Sequence, residues 1–317
     1  MAEKPYRIGI DLGGTNIKTG VIDRNNRIVG SNSVKTRPQR PYQEVMADMA
    51  GAVNALLENL NIPLEQCEKI GIGSPGMVDS ATGVVVFAGN LSWNDVPLVQ
   101  ELETYFSLPI RLSNDANCAA LGETLAGAGR GCGNILLLTL GTGLGGGVVV
   151  NHRLQEGAFP GGMELGHVLL VMDGEPCSCG RRGCVEAYCS AAALARFAVR
   201  AAKANPESLL NSMCGGELSR MNGVIPFKAA RQNDAAATQV VEDYIRFLGE
   251  CIINFVNLWR PEKVLLGGGV SGEGDPLVQP LNAYIKTRCF GGQAAFVPPV
   301  AAAELGNSAG LIGAASL

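Results

Sequence analysis

Apolar residues in this chain gather in short blocks, and most blocks stop at glycine. "IGIDLGGTNIKTGVID" (8–23), "IGIGSPGMVD" (70–79), "ILLLTLGTGLGGGVVV" (135–150) and "VLLGGGVSGEG" (264–274) share this form. Blocks this short, bounded by glycine, predict buried strands that deliver tight loops. Between them the apolar period becomes helical. Val45, Met49, Val53, Leu56, Leu57 and Leu60 keep one face, as do Val240, Tyr244, Phe247, Cys251, Ile252, Phe255 and Trp259. Both sets are expected to pack into a core. The small-residue segment 305–317 predicts a further helix, returning to the first part of the chain.

Two pairs of blocks match. Leu12-Gly13-Gly14 aligns with Leu140-Gly141-Thr142, each as strand, loop and strand. Glu68-Lys69-Ile70 aligns with Glu262-Lys263-Val264, each as a strand ending at a glycine-rich turn. Two matches in the same order point to a duplicated α/β domain with a cleft between the halves. The crossing between lobes is placed just after "IRLSND" (110–115).

Composition narrows the class. With 47% hydrophobic and 17% charged residues in 317, a large core and two domains are expected, and disorder is excluded. A net charge of −4 argues against general nucleic-acid binding, which needs a basic face. The polar start predicts no signal peptide. The longest uncharged stretch, Gly131–Asn151, holds seven glycines and is not expected to span a membrane. Isolated cysteines on apolar stretches (Cys67, Cys118, Cys132, Cys251) are expected to be buried free thiols of a reducing, cytoplasmic protein.

The candidate chemistry lies in the loops. In "DLGGTNIK", Gly13 and Gly14 let backbone N–H groups face an anion, Thr15 adds a hydroxyl, and Lys18 follows. Asp11 suits a hydrated Mg²⁺. "LGTGLGGG" (140–147) is a second such loop. Its G-x-G-x-x-G is followed by Val148-Val149-Val150, another strand, which excludes a dinucleotide-binding turn. There is no G-x-x-x-x-G-K-[ST] either. Two phosphate loops in paired lobes predict a nucleotide. Asn114-Asp115, taken alone, reads first as a helix N-cap; beside a nucleotide, Asp115 suits a general base.

His167, Cys177, Cys179 and Cys184 follow one another with nine, one and four residues between them. One imidazole and three thiolates form the closed tetrahedral set that structural zinc prefers. The Gly-Arg-Arg-Gly turn at 180–183 lets the chain double back.

Across nearly the whole chain, "DLGGTNIK", "GIGSPGMVD", "SNDANCAALGE", "LGTGLGGG", "ELGH", "CSCGRRGCVEAY" and "LGGGVS" resemble the ROK family of the actin-like sugar kinases. The resemblance implies an α/β, ribonuclease H-like, two-lobed fold with a duplicated βββαβα core and an inter-lobe cleft. The lobes would be 1–115 with about 304–317, and 116–303, the latter carrying zinc.

It further implies an ATP-dependent hexokinase, most like the glucokinase branch, with Asp115 as base for the 6-hydroxyl. Asp11, Gly13, Gly14, Thr15, Lys18, Gly141, Thr142 and Gly143 would hold Mg-ATP phosphates, and Gly267, Gly268 and Gly269 would lie toward the adenosine. Gly76, Asn90, Asn114, Glu164, His167 and Glu186 would contact the hexose, the two glutamates on its anomeric side. His167 would serve zinc with one ring nitrogen and sugar with the other. Met163 stands where the family often has a small residue.

Other hexoses or N-acetylhexosamines (N-acetylmannosamine, mannose, fructose, allose) are alternative substrates. A sugar-sensing regulator is disfavoured, because only seven residues precede Ile8 and leave no helix-turn-helix. A filament ATPase would need neither zinc nor Asn-Asp. A homodimer or homotetramer is expected, with no nucleic-acid or membrane partner.

Overall fold

The structure, a computed structural model, describes residues 4–317. The chain opens with β1 (Tyr6–Leu12), β2 (Asn16–Asp23) and β3 (Ile28–Lys35), then α1 (Tyr42–Leu60) and β4 (Cys67–Ser74). A small antiparallel sheet follows, β5 (Met77–Asp79), β6 (Val84–Ala88) and β7 (Trp93–Val96), and then α2 (Leu98–Leu102), β8 (Ile110–Asn114) and α3 (Asp115–Ala126). Next come β9 (Ile135–Leu140), β10 (Leu144–Val150), β11 (Arg153–Leu154), α4 (Glu186–Cys189), α5 (Ala191–Ala204), α6 (Leu209–Met213), α7 (Ile225–Ala230) and α8 (Ala235–Trp259). The chain closes with β12 (Lys263–Gly267), α9 (Asp275–Lys286), β13 (Val300–Ala302) and α10 (Ala309–Ala314).

The two large sheets share one plan. Their strand orders are β3-β2-β1-β4-β8 and β11-β10-β9-β12-β13. The matched blocks therefore occupy equivalent places: β1 and β9 are third in their sheets, β4 and β12 fourth. In the first sheet β1–β2–β3 is antiparallel, while β4 and β8 run parallel to β1. Parallel strands covered on both faces need nearly continuous apolar residues. Accordingly, β4 is buried from Ile70 to Ser74.

The chain groups into two compact units. The first comprises 1–135, 147–163 and 304–317; the second comprises 136–146 and 164–303. The first unit thus keeps α3 and extends past the crossing expected after residue 115. The reason is packing: α10 lies on α3. A Cβ on Gly313 would sit 1.7 Å from the Cys118 carbonyl oxygen, and one on Gly122 2.1 Å from that of Ala309. Only glycine lets these two helices approach so closely. Glu123, fully buried on α3, accepts N–H bonds from Ala128 (2.9 Å), Glu304 (3.2 Å) and Leu305 (2.8 Å). A buried carboxylate needs such partners, and these tie the returning chain to α3.

The periodic apolar segments are α1 and α8. On α1, Val45, Met49, Val53, Leu56 and Leu57 are buried in the first unit's core. On α8, Val240, Tyr244, Cys251, Ile252 and Phe255 are buried, while Phe247 and Trp259 are half-buried. The segment 205–234, silent in sequence, forms α6 and α7. All ten cysteines are free thiols, and Cys67, Cys118 and Cys251 are buried. Cys132 departs from expectation and is only half-buried, in the turn before β9. No described helix is long and apolar enough to cross a membrane.

Candidate functional site

In the first unit, β1 and β2 deliver the loop Gly13-Gly14-Thr15. The Gly13 N–H bonds to the Asn16 carbonyl (2.9 Å), and the buried Thr36 donates its hydroxyl to the Gly13 carbonyl (2.6 Å) and its N–H to that of Thr15 (3.0 Å). Asp11 and Lys18 face each other across the strand pair, 3.5 Å apart. Burial pushes the Asp11 carboxyl above its ordinary value, and Lys18 works against that shift. Asn90 comes to the same loop, its Nδ2 lying 3.3 Å from where a Cβ on Gly14 would stand.

Asp115 opens α3. Asn114 caps that helix, its side-chain oxygen accepting the N–H groups of Ala116 (2.9 Å) and Asn117 (3.4 Å). Its Nδ2 donates to the Gly76 carbonyl (3.0 Å). Gly76 is at φ 86°, where a Cβ would meet the Phe87 carbonyl oxygen at 2.1 Å, so the turn requires glycine. The cap reading and the site reading of Asn114 therefore coexist in one side chain. The Asp115 Oδ1 accepts the Ala116 N–H (2.8 Å), at the end of a helix that favours negative charge. Asp79 closes the next turn, accepting from Ala81 (3.1 Å) and Thr82 (3.3 Å).

In the second unit, His167, Cys177, Cys179 and Cys184 converge, with all four ligand atoms within 4.8 Å of one another. Cys179 Sγ lies 3.7 Å from Cys184 Sγ, and Cys177 Sγ 3.7 Å from His167 Nδ1. A disulfide needs about 2.05 Å. A tetrahedron with metal–sulfur bonds of about 2.3 Å has edges of about 3.8 Å. The residues therefore fit Zn²⁺, with the backbone folded back through the Pro176–Arg182 bridge and Gly180 and Gly183 both left-handed. Engagement of His167 through Nδ1 leaves Nε2 for another partner. Glu175 anchors the knuckle to α5 by accepting two bonds from Arg200 (2.5 and 2.7 Å).

Glu186 links this knuckle to the second glycine loop. Its Oε1 accepts the Ser178 hydroxyl (2.8 Å), and its Oε2 accepts the Leu144 N–H (3.0 Å). A Cβ on Gly143 would stand 2.5 Å from the same Oε2. Gly141 accepts from Ala191 N–H (2.8 Å), and Gly268, at φ 81°, lies against the Leu140 backbone. Thus Gly141–Gly143 and Gly267–Gly269 are neighbours in the fold. Glu164 lies near both His167 and Glu186. Burial raises its carboxyl pKa, His167 opposes the rise, and Glu186 adds to it.

A family model described as the ROK family matches residues 7–317. The chain belongs to the ROK family. Its α/β architecture is the actin-like sugar kinase fold of that family's solved members. The ROK relatives include a glucokinase of Streptomyces coelicolor, 38% identical over 98% of this chain and 96% of its own. A glucokinase of Halalkalibacterium halodurans is 36% identical over 99% and 94%. A solved ROK glucokinase from Streptomyces griseus, in complex with glucose and AMPPNP, is 37% identical, covers 98% of each chain and superposes with a TM-score of 0.81.

Three features of these residues escaped the sequence reading. Glu186, expected on substrate, also accepts the Ser178 hydroxyl and the Leu144 N–H within the second unit. Glu156 bonds to Ser113, beside Asn114, and to Ser80. Met163 adopts φ 62°, strained for a side chain of that size. A lone acid in the glycine-rich stretch "EGAFPGGM" was the available signal for Glu156.

Proposed function

We propose that this chain is an ATP-dependent hexokinase that phosphorylates glucose on its 6-hydroxyl. The observation that carries the reading is the β8–α3 junction. There Asn114 is bonded to both the helix start and Gly76, so Asp115 is presented from a rigid turn. The ROK membership and the glucokinase relatives supply the substrate class.

In the proposed reaction, Gly76, Asn90 and Asn114 hold the sugar from the first unit. Glu164, His167 and Glu186 take hydroxyls on its anomeric side from the second. Asp115 accepts the 6-hydroxyl proton as O6 bonds to the γ-phosphorus and the bond from that phosphorus to the bridging oxygen breaks, releasing ADP. Gly13, Gly14, Thr15, Lys18, Gly141, Thr142 and Gly143 orient the triphosphate through N–H, hydroxyl and ammonium donors, with Gly267, Gly268 and Gly269 toward the adenosine. Asp11 would hold Mg²⁺, which would neutralise phosphate charge when bound. His167, Cys177, Cys179 and Cys184 would hold one structural Zn²⁺ and so fix the segment from Glu164 to Glu186. The free thiols support a cytoplasmic setting. The family resemblance supports a homodimer or homotetramer.

A coupled ADP-release assay with Mg-ATP tests the reading across glucose, mannose, N-acetylmannosamine, N-acetylglucosamine, fructose and allose. The expected outcome is kcat/KM for glucose at least about tenfold above every other sugar. A better substrate among the others would overturn glucose and leave the hexokinase. No turnover with any sugar would sink the kinase reading.

A further inference from the structure

One carboxylate bonded to β8 has no part in the reaction above. Glu156 follows β11 and is half-buried. It accepts two hydroxyls, Ser113 Oγ at 2.5 Å and Ser80 Oγ at 3.1 Å. Ser113 is 1% exposed and immediately precedes Asn114. Its hydroxyl has no other side-chain partner among the described residues, so removing Glu156 would leave a buried donor unpaired. Ser80 lies just past β5, four positions beyond Gly76.

The loop that begins at Glu156 closes on itself. A Cβ on Gly162 would stand 2.4 Å from the Glu156 carbonyl oxygen. One on Gly161 would stand 2.8 Å from the Met77 side chain, next to Gly76. One carboxylate thus joins three segments distant in sequence: β8, the β5–β6 turn and the 157–163 loop.

We infer that Glu156 is a positioning residue for the hexose, holding the 157–163 loop and the β5–β6 turn against β8 and so setting the places of Gly76 and Asn114. The inference rests on the proposed reading that Gly76, Asn114 and Asp115 take the sugar. Glu156 touches neither reacting atom in that reading. Its loss therefore acts on sugar affinity more than on turnover, and leaves ATP affinity alone.

The test is steady-state kinetics of the wild type, E156A, E156Q, S113A and E156A/S113A, with amide hydrogen exchange over 157–163. E156A is expected to raise KM for glucose about tenfold, the scale of a lost bond to a charged group. KM for ATP stays within about twofold. E156Q keeps one acceptor oxygen and recovers part of the loss. S113A and E156A combine less than additively, and exchange over 157–163 is faster in E156A. An E156A protein with lowered Tm but unchanged KM for glucose would mark Glu156 as merely structural and overturn the inference. Unchanged exchange over 157–163 would overturn it whatever the activity. A wild type that phosphorylates no sugar would instead bring down the kinase reading, and this assignment with it.

Discussion

The hairpins at Gly13–Thr15 and Gly141–Gly143 read alike, yet different things hold them. The first is braced by near neighbours: Asn16, Thr36 and the cross-strand Asp11–Lys18 pair. The second is braced from far along the chain, by Ala191, by the Gly268 backbone and by Glu186 at the end of the cysteine knuckle. A duplicated strand plan has thus been given two independent supports. One is mostly local, with Asn90 the distant neighbour at Gly14, and made only of protein. The other runs through a residue that also touches the candidate metal site, where Cys177 Sγ lies 3.7 Å from Glu186 Oε1. Metal loss should therefore reach the second hairpin and spare the first.

The largest expected effect breaks the second support. Chelation, or Cys179→Ala, should abolish bound zinc, lower stability by several kcal/mol and raise KM for ATP. Metal analysis, urea unfolding and kinetics would read this. A stable, fully active, metal-free variant would defeat the zinc assignment. Next, Asp115→Asn removes the proposed base while leaving both hairpins intact. It should cost at least about 10² in kcat while calorimetry still detects sugar binding. Near-normal turnover would take Asp115 out of the mechanism.

A smaller effect compares the hairpins directly. Gly143→Ala would push the Glu186 carboxylate off the Leu144 N–H, whereas a Cβ on Gly13 meets only the Asn16 carbonyl, at 3.0 Å. KM for ATP should rise more for Gly143→Ala than for Gly13→Ala, the difference being about 1 kcal/mol, one hydrogen bond. Equal penalties would refute the separate-support picture.

The smallest effect is on stability and concerns Asp11. Its folded pKa is raised, chiefly by burial, so the folded state binds the proton more readily than the unfolded chain. Stability then falls as pH rises from the unfolded value, about 3.9, through the raised folded value. Asp11→Asn should be more stable than wild type at pH 7, with the gain vanishing below about pH 4, and should be catalytically impaired. The lost Lys18 pair subtracts little, since both side chains are partly solvated. A variant less stable at pH 7 would show that the ion pair outweighs the burial.

Much of the candidate site was legible along the chain because its parts are local. His167 through Cys184 spans a single turn-rich segment, so ligand type and spacing were enough to predict a closed metal set. The glycine hairpins were legible because two strands and the loop between them are contiguous. Asn114 was legible as a cap for the same reason, and its second bond, to Gly76, was not. Nothing near residue 115 reveals that α3 packs on α10, nearly two hundred residues later.

By itself, then, the sequence determined the strand blocks, the repeat, the glycine loops, the Asn-Asp junction and the His/Cys set, since each depends on periodicity or short spacing. Tertiary structure alone decided what braces them: Glu123 on the returning chain, Glu186 on the second hairpin, and Glu156 across Ser113 and Ser80. Those are buried or half-buried carboxylates, and each needs donors to offset its desolvation. Which N–H or hydroxyl supplies them is settled by which segments the fold brings together, and spacing along the chain carries no record of that.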